Sequence, residues 1–186
     1  MTEQAKFKPI SPDKAEWLKG KIRDIPDFPK PGIVFKDLTT LLKDQEAFGY
    51  VVDVFAEQYG PLNPKYVAGI EARGFILGSA LANKLKVGFI PVRKPGKLPA
   101  RVVTQSYQLE YGTDRLEVHE DCVAKGDRVV LIDDLLATGG TAGAAYSLLT
   151  KVGADVISLG FVVELGFLNG RSKMPPGVEC NSIICF

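Results

Sequence analysis

An excess of charge of either sign is missing from this chain: 23 Lys and Arg stand against 22 Asp and Glu over 186 residues. No overall field therefore draws it to a nucleic-acid backbone or an anionic membrane, and neither is expected among its partners. Histidine is reduced to His119, read here as an ordinary strand residue, and the three cysteines, Cys122, Cys180 and Cys185, form no CxxC pair. A protein-built zinc site would be short of ligands, and an odd thiol count argues against a disulfide framework. No apolar run approaches the ~20 residues that cross a bilayer, and the opening MTEQAKFKPI lacks the apolar stretch of a signal peptide, so a cytoplasmic address is expected. Neither GxxxxGKS/T nor a GxGxxG following a strand occurs, which disfavours a nucleotide triphosphate as ligand. No internal repeat and no low-complexity tract is visible.

What is present is a 46% hydrophobic, 24% charged chain long enough for one core, so a single domain over residues 1–186 is expected. Ser11-Pro12 reads as a helix start, and Leu18, Ile22 and Ile25 recur at near-helical spacing. The prolines of Pro26-Asp27-Phe28-Pro29-Lys30-Pro31-Gly32 stop that helix in a loop or extended stretch. A second helix fits Asp44 to Tyr59. Short apolar runs at 66–70, 87–92, 129–132 and 156–163 then alternate with helical stripes at 74–85 and 141–152, the last capped by Gly153. Buried strands alternating with helices predict a parallel sheet covered on both faces. One segment departs from this rhythm: Val103, Tyr107, Leu109 and Tyr111, then Leu116 and Val118, follow a period of two around Gly112-Thr113-Asp114, which predicts a hairpin flap standing off the sheet.

The densest chemistry lies in the run Val129 to Thr141. It begins as a buried strand and ends by opening a helix, so Asp133 and Asp134 fall at a strand's C-terminal end, where parallel sheets place ligands. Ala137, Thr138, Gly139, Gly140 and Thr141 are small or hydroxylated residues at a helix N-terminus, whose free N–H groups favour a phosphate. A phosphate beside paired carboxylates matches a ribose 5-phosphate, with the acids accepting bonds from its hydroxyls.

The stretch VLIDDLLATGGT is similar to the phosphoribosyl-diphosphate motif of the type I phosphoribosyltransferases, and within that family to members acting on adenine. Agreement extends to Phe28–Asp37, Glu71–Phe75, Val92–Pro99 and Leu109–Gly112, in unbroken order from about residue 15 to about 165. The resemblance implies an α/β type I phosphoribosyltransferase fold: a central parallel sheet flanked by helices, a small N-terminal hood within residues 1–40 and a β-hairpin flap. It also implies a purine-salvage glycosyltransferase that moves the 5-phosphoribosyl group from phosphoribosyl diphosphate to adenine, giving AMP and pyrophosphate.

Carried onto this sequence, the resemblance assigns Ala137 to Thr141 to the 5-phosphate and Asp133 with Asp134 to the ribose hydroxyls. Glu71-Ala72-Arg73-Gly74 becomes the pyrophosphate loop, with Arg73 on the ligand and a non-proline cis peptide within residues 69–74. Arg93, Lys94 and Lys97 form a basic loop near the diphosphate, brought close to a neighbouring subunit's site in a homodimer. In the hood, Phe35 stacks on the base while backbone groups near Val34 and Lys36 read the purine edge; many relatives carry Arg where this chain has Lys36. Glu110 is the candidate general acid or base, set by strand alternation on the opposite flap face from Leu109 and Tyr111, and Tyr111 counts among the substrate contacts. Magnesium is expected through the diphosphate rather than in a protein cage. Transfer to hypoxanthine, guanine or orotate, a regulator that kept the fold to sense phosphoribosyl diphosphate or bind RNA, and a kinase producing phosphoribosyl diphosphate remain as other readings.

Overall fold

The structure, a computed structural model, describes residues 7–108 and 113–186. Ser11 opens helix α1 (Pro12–Lys19) by accepting from the Lys14 N–H, with Pro12 where an N–H would go unpaired. The helix ends sooner than the spacing of Leu18, Ile22 and Ile25 suggests. Leu18 and Ile22 are both buried, so the spacing reported a common inward direction, while Ile25 belongs to strand β1 (Arg23–Pro26). This strand pairs antiparallel with β2 (Val34–Asp37), Ile25 opposite Phe35. The proline-rich segment joins the two, passing through Asp27 at φ 55° and a cis Phe28–Pro29 bond. The pair is the small N-terminal unit expected as the hood.

A short helix that the sequence reading lacked, α2 (Thr39–Lys43), leads into α3 (Gln45–Tyr59). The Asp44 carboxylate caps α3, accepting from the N–H groups of Glu46 and Ala47 at 3.1 and 3.0 Å. The alternation that follows is β3 (Tyr66–Ile70), α4 (Arg73–Leu85) and β4 (Gly88–Val92). The antiparallel pair β5 (Val102–Gln108) and β6 (Thr113–His119) comes next, then β7 (Arg128–Leu136), α5 (Gly140–Lys151), β8 (Asp155–Glu164) and β9 (Glu179–Cys185). Five strands form one parallel sheet in the order β4-β3-β7-β8-β9. Its faces are both covered, as the apolar runs require. Val67, Val130 and Ile132 pack with Leu18, Phe55, Tyr59, Leu77 and Leu81, while Ala68, Val129 and Leu131 pack with Ala145, Leu148 and Leu149 of α5.

Two expectations need correction. The β5–β6 ladder closes on Gln108 opposite Thr113, so Thr113 and Asp114, expected in the turn, are strand residues. Leu109, Glu110, Tyr111 and Gly112 lie outside the described residues. The hairpin also does not stand clear of the sheet: Leu116 and Val118 are fully buried in the cluster beneath α5, and Arg93 and Glu117 exchange backbone bonds of 2.9 and 2.8 Å. The apolar members of its period-two pattern are what fasten it down.

Candidate active site

At the C-terminal edge of the sheet, β7 outruns one neighbour. Its pairing with β3 stops at Ile132, while pairing with β8 continues to Leu136 opposite Glu164. Asp133 and Asp134 therefore lie inside a strand longer than the apolar run suggests, at the point where one side of that strand is free. A cleft of about 330 Å³ opens there, lined by Glu71 to Arg73, Lys94, Asp133, Asp134 and the whole of Ala137 to Thr141. These are the residues expected at the pyrophosphate, ribose and 5-phosphate.

Local backbone geometry explains the small residues. Gly139 sits at φ +79°, a conformation that favours glycine, and caps α5, whose first N–H groups lack helical partners. Gly74 lets the first turn of α4 rest directly on β7: a Cβ there would fall 2.8 Å from Asp133 Oδ1 and 2.9 Å from the Ile132 carbonyl. Between β3 and α4 the Glu71–Ala72 peptide is cis, within the expected segment.

Charge in the cleft is arranged in pairs. The Arg73 guanidinium donates from Nε to the Asp134 carboxylate, which is buried, and the Asp134 N–H donates to Asp133 Oδ1 at 2.9 Å. Although Asp133 faces the cleft, desolvation and then the negative charge of Asp134 push its carboxyl well above the usual range. Glu71 behaves oppositely. Burial raises its pKa, but bonds from Lys97 Nζ (2.8 Å), the Lys94 N–H (3.0 Å) and Arg93 outweigh that and hold it at about 2. Arg93 and Lys97 are thus gathered beside the Glu71 turn without lining the cleft.

Lys94 lines the cleft and is held there by two residues that sequence reasoning did not bring to the site. Its Nζ donates to the Tyr107 hydroxyl at 3.0 Å and to the Asp114 carboxylate, and Tyr107 in turn receives a 3.4 Å bond from the Thr141 hydroxyl. The available signal was a tyrosine on the apolar face of a hairpin, whose hydroxyl needs a partner when buried. The hood residues do not line the cleft. Phe35 meets Phe28 edge-on with ring centroids 5.3 Å apart, and Val34 is exposed. The Lys36 side chain is spent on Asp24 at 2.7 Å and on the face of Phe186, 4.0 Å from its centroid. Glu110 and Tyr111 fall outside the described residues.

Comparison with known proteins agrees with this geometry. Residues 40–179 match the model of the phosphoribosyl transferase domain. The adenine phosphoribosyltransferase of Gloeobacter violaceus is 53% identical over 169 residues, covering 91% of this chain and 99% of that protein. The crystal structure of adenine phosphoribosyltransferase from Thermoanaerobacter pseudethanolicus superposes with a TM-score of 0.88 at 51% identity, covering 92% of this chain and 99% of that one. The Saccharomyces cerevisiae enzyme, solved with an imino-altritol bisphosphate and adenine, gives a TM-score of 0.86 at 36% identity, with 92% and 98% covered.

Proposed function

Because this chain belongs to the phosphoribosyl transferase family, we infer that it transfers the 5-phosphoribosyl group from phosphoribosyl diphosphate to adenine, giving AMP and pyrophosphate in purine salvage. The observation that carries this reading is the single cleft in which the Asp133–Asp134 pair adjoins the Ala137–Thr141 helix start. The loop N–H groups take the 5-phosphate, and the carboxylates accept bonds from the ribose 2- and 3-hydroxyls.

Breaking the anomeric C–O bond builds positive charge on the sugar and negative charge on a leaving diphosphate. Arg73 and Lys94 stabilise that leaving group by exchanging their present carboxylate partners, Asp134 and Asp114, for its oxygens. Glu110 manages the purine proton, worth about 10²–10⁴-fold in rate for a positioned acid or base, and Tyr111 beside it contributes to holding the substrates. Val34, Phe35 and Lys36 cover the base, Phe35 by stacking and the others through their backbone. Arg93 and Lys97 complete the basic loop toward the diphosphate, beside a neighbouring subunit in a homodimer.

Among the described residues no group of three or more His, Cys, Asp and Glu forms a metal cage. The oxygen donors of the cleft fit a magnesium ion that arrives on the diphosphate, since this hard cation keeps substrate oxygens and waters as most of its ligands. When bound, magnesium supplies charge neutralisation on the leaving group. The compartment we assign is the cytoplasm; among the described residues no helix is long and apolar enough to cross a membrane. The test is to incubate the chain with phosphoribosyl diphosphate, magnesium and each of adenine, hypoxanthine, guanine and orotate. AMP from adenine alone is expected, and a nucleotide formed only from another base would overturn the choice of substrate.

A further inference from the structure

The loop that receives the 5-phosphate has no bulky side chain to stiffen it, and its support comes from a segment outside every stretch discussed so far. Gly170 is buried against its rear surface. A Cβ at Gly170 would lie 3.1 Å from the Gly139 nitrogen and closer still to the Ala137 carbonyl, and one at Gly139 would run into the Gly170 carbonyl and come within 3.2 Å of Met174 Cε. The two backbones are packed to the limit that glycine permits, so a displacement of Gly170 is transmitted to Ala137 and Gly139.

Arg171, the next residue, is clipped to the sheet. Its Nε donates to Glu164 Oε1 at 2.7 Å and Oε2 at 2.9 Å, and its Nη2 donates to Oε2 at 2.5 Å. Nη1 donates to the Cys180 carbonyl, and Nη2 reaches Ser182 Oγ at 3.4 Å, both on β9. Glu164 ends β8, is 7% exposed, and stands opposite Leu136, the residue before the loop; the Leu165 N–H also donates to the Leu136 carbonyl at 2.9 Å. Burial raises the Glu164 pKa, but the Arg171 guanidinium more than offsets this and keeps the carboxyl below its usual range. The Arg171 side chain is 46% exposed, and a pair open to solvent in this way adds little stability, so its use here calls for a geometric reason. A planar guanidinium fork supplies one, because it fixes direction as well as distance.

We propose that Glu164 and Arg171 are positioning residues that act through Gly170 to hold the Ala137–Gly139 backbone in the geometry that binds the 5-phosphate. The proposal rests on the function inferred above and assigns no substrate contact to either side chain. Phosphate affinity is therefore the quantity they govern, and adenine recognition is not.

The test measures AMP affinity by calorimetry and the KM for adenine in turnover, well below each variant's melting temperature. Arg171→Ala should weaken AMP binding by roughly tenfold, the scale of a sub-ångström misplacement, while the adenine KM stays within twofold. Arg171→Lys, which restores charge without the fork, should recover affinity only in part. Gly170→Ala leaves the ion pair in place and presses on Ala137, and should show the same selective loss even if Arg171→Ala fails to fold. Lys21→Ala breaks a half-buried ion pair with Asp44, 2.6 Å in length and remote from the cleft, and should keep AMP affinity. AMP affinity within twofold of the parent in Gly170→Ala and in any folded Arg171→Ala would overturn the brace and leave the reaction standing. So would an equal loss in adenine KM or in Lys21→Ala. A parent chain that binds no AMP would overturn both.

Discussion

Burial and the adjacent Asp134 both oppose ionisation of Asp133, yet binding a ribose calls for the ionised form as acceptor. A carboxyl whose pKa is raised on folding contributes stability only at low pH; above the ordinary 3.8 its ionisation increasingly destabilises the fold. Asp133→Asn should therefore be more stable than the parent at pH 7, seen as a higher melting temperature, with the gain shrinking as pH approaches 4. Phosphoribosyl transfer should fall by about 10–100-fold, the worth of a charged hydrogen bond. A lower melting temperature at pH 7 would contradict the assigned direction. Glu71 carries the opposite sign. Its folded pKa of about 2 against an ordinary 4.5 means that its contribution is complete above pH 4.5 and is lost as pH falls toward 2. Glu71→Gln should be less stable than the parent at neutral pH and indistinguishable from it near pH 2, as acid-unfolding curves will register. The sequence singled out Asp133 by its neighbours and reached Glu71 only as the first residue of the loop that the resemblance assigns. It could not reveal that Glu71 ties down Arg93 and Lys97, since that contact joins residues more than twenty positions apart.

Elements whose burial follows one period were legible, and elements that mix signals were not. Alternation located the β5–β6 pair, and the helical stripe located α3 to within one residue, although Asp44 proves to be its cap rather than its first residue. The spacing of Leu18, Ile22 and Ile25 spoke for a longer helix because Leu18 and Ile22 both turn inward, although the helix ends at Lys19 and Ile25 belongs to β1. Strand β9 went unread because Glu179-Cys180-Asn181-Ser182 is mostly polar, as an edge strand with only its last apolar residues buried can be. The hairpin's chemistry is where alternation reaches furthest. If Glu110 lies on the face opposite Leu109 and Tyr111, it can handle the purine proton while they pack. Glu110→Gln keeps its size and most of its hydrogen bonding but transfers no proton, so the chemical step should slow by about 10²-fold or more with phosphoribosyl diphosphate binding unchanged. Single-turnover rates within threefold of the parent would remove Glu110 from the mechanism. The Lys94–Asp114 contact ties the hairpin to the basic loop, so Asp114→Asn should free Lys94 and alter the KM for phosphoribosyl diphosphate more than that for adenine. Initial-rate measurements with each substrate varied in turn separate the two.

With a net charge of +1 the molecule has no general attraction for a polyanionic substrate, so its basic groups must act from fixed local positions. Within one chain Arg93 and Lys97 are bound to Glu71, and the helix that follows that turn shows solvent an unusually uncharged stripe: Ala72, Ile76, Ser79 and Asn83, with Ile76 46% exposed. Depletion of charge around an exposed aliphatic residue is a feature of subunit interfaces rather than of solvated helix faces. We propose a homodimer packed through this stripe, with the basic loop of Arg93 and Lys97 near the neighbouring subunit's diphosphate. Sedimentation should then give twice the 20.2 kDa chain mass at assay concentration. Ile76→Glu, which leaves every cleft residue in place, should yield a folded monomer with a raised KM for phosphoribosyl diphosphate. Fully active monomer in the parent, or a monomeric Ile76→Glu protein with unchanged KM, would detach the basic loop from any partner subunit and leave the cleft complete within one chain, and an Ile76→Glu protein that stays dimeric would overturn the stripe as the interface.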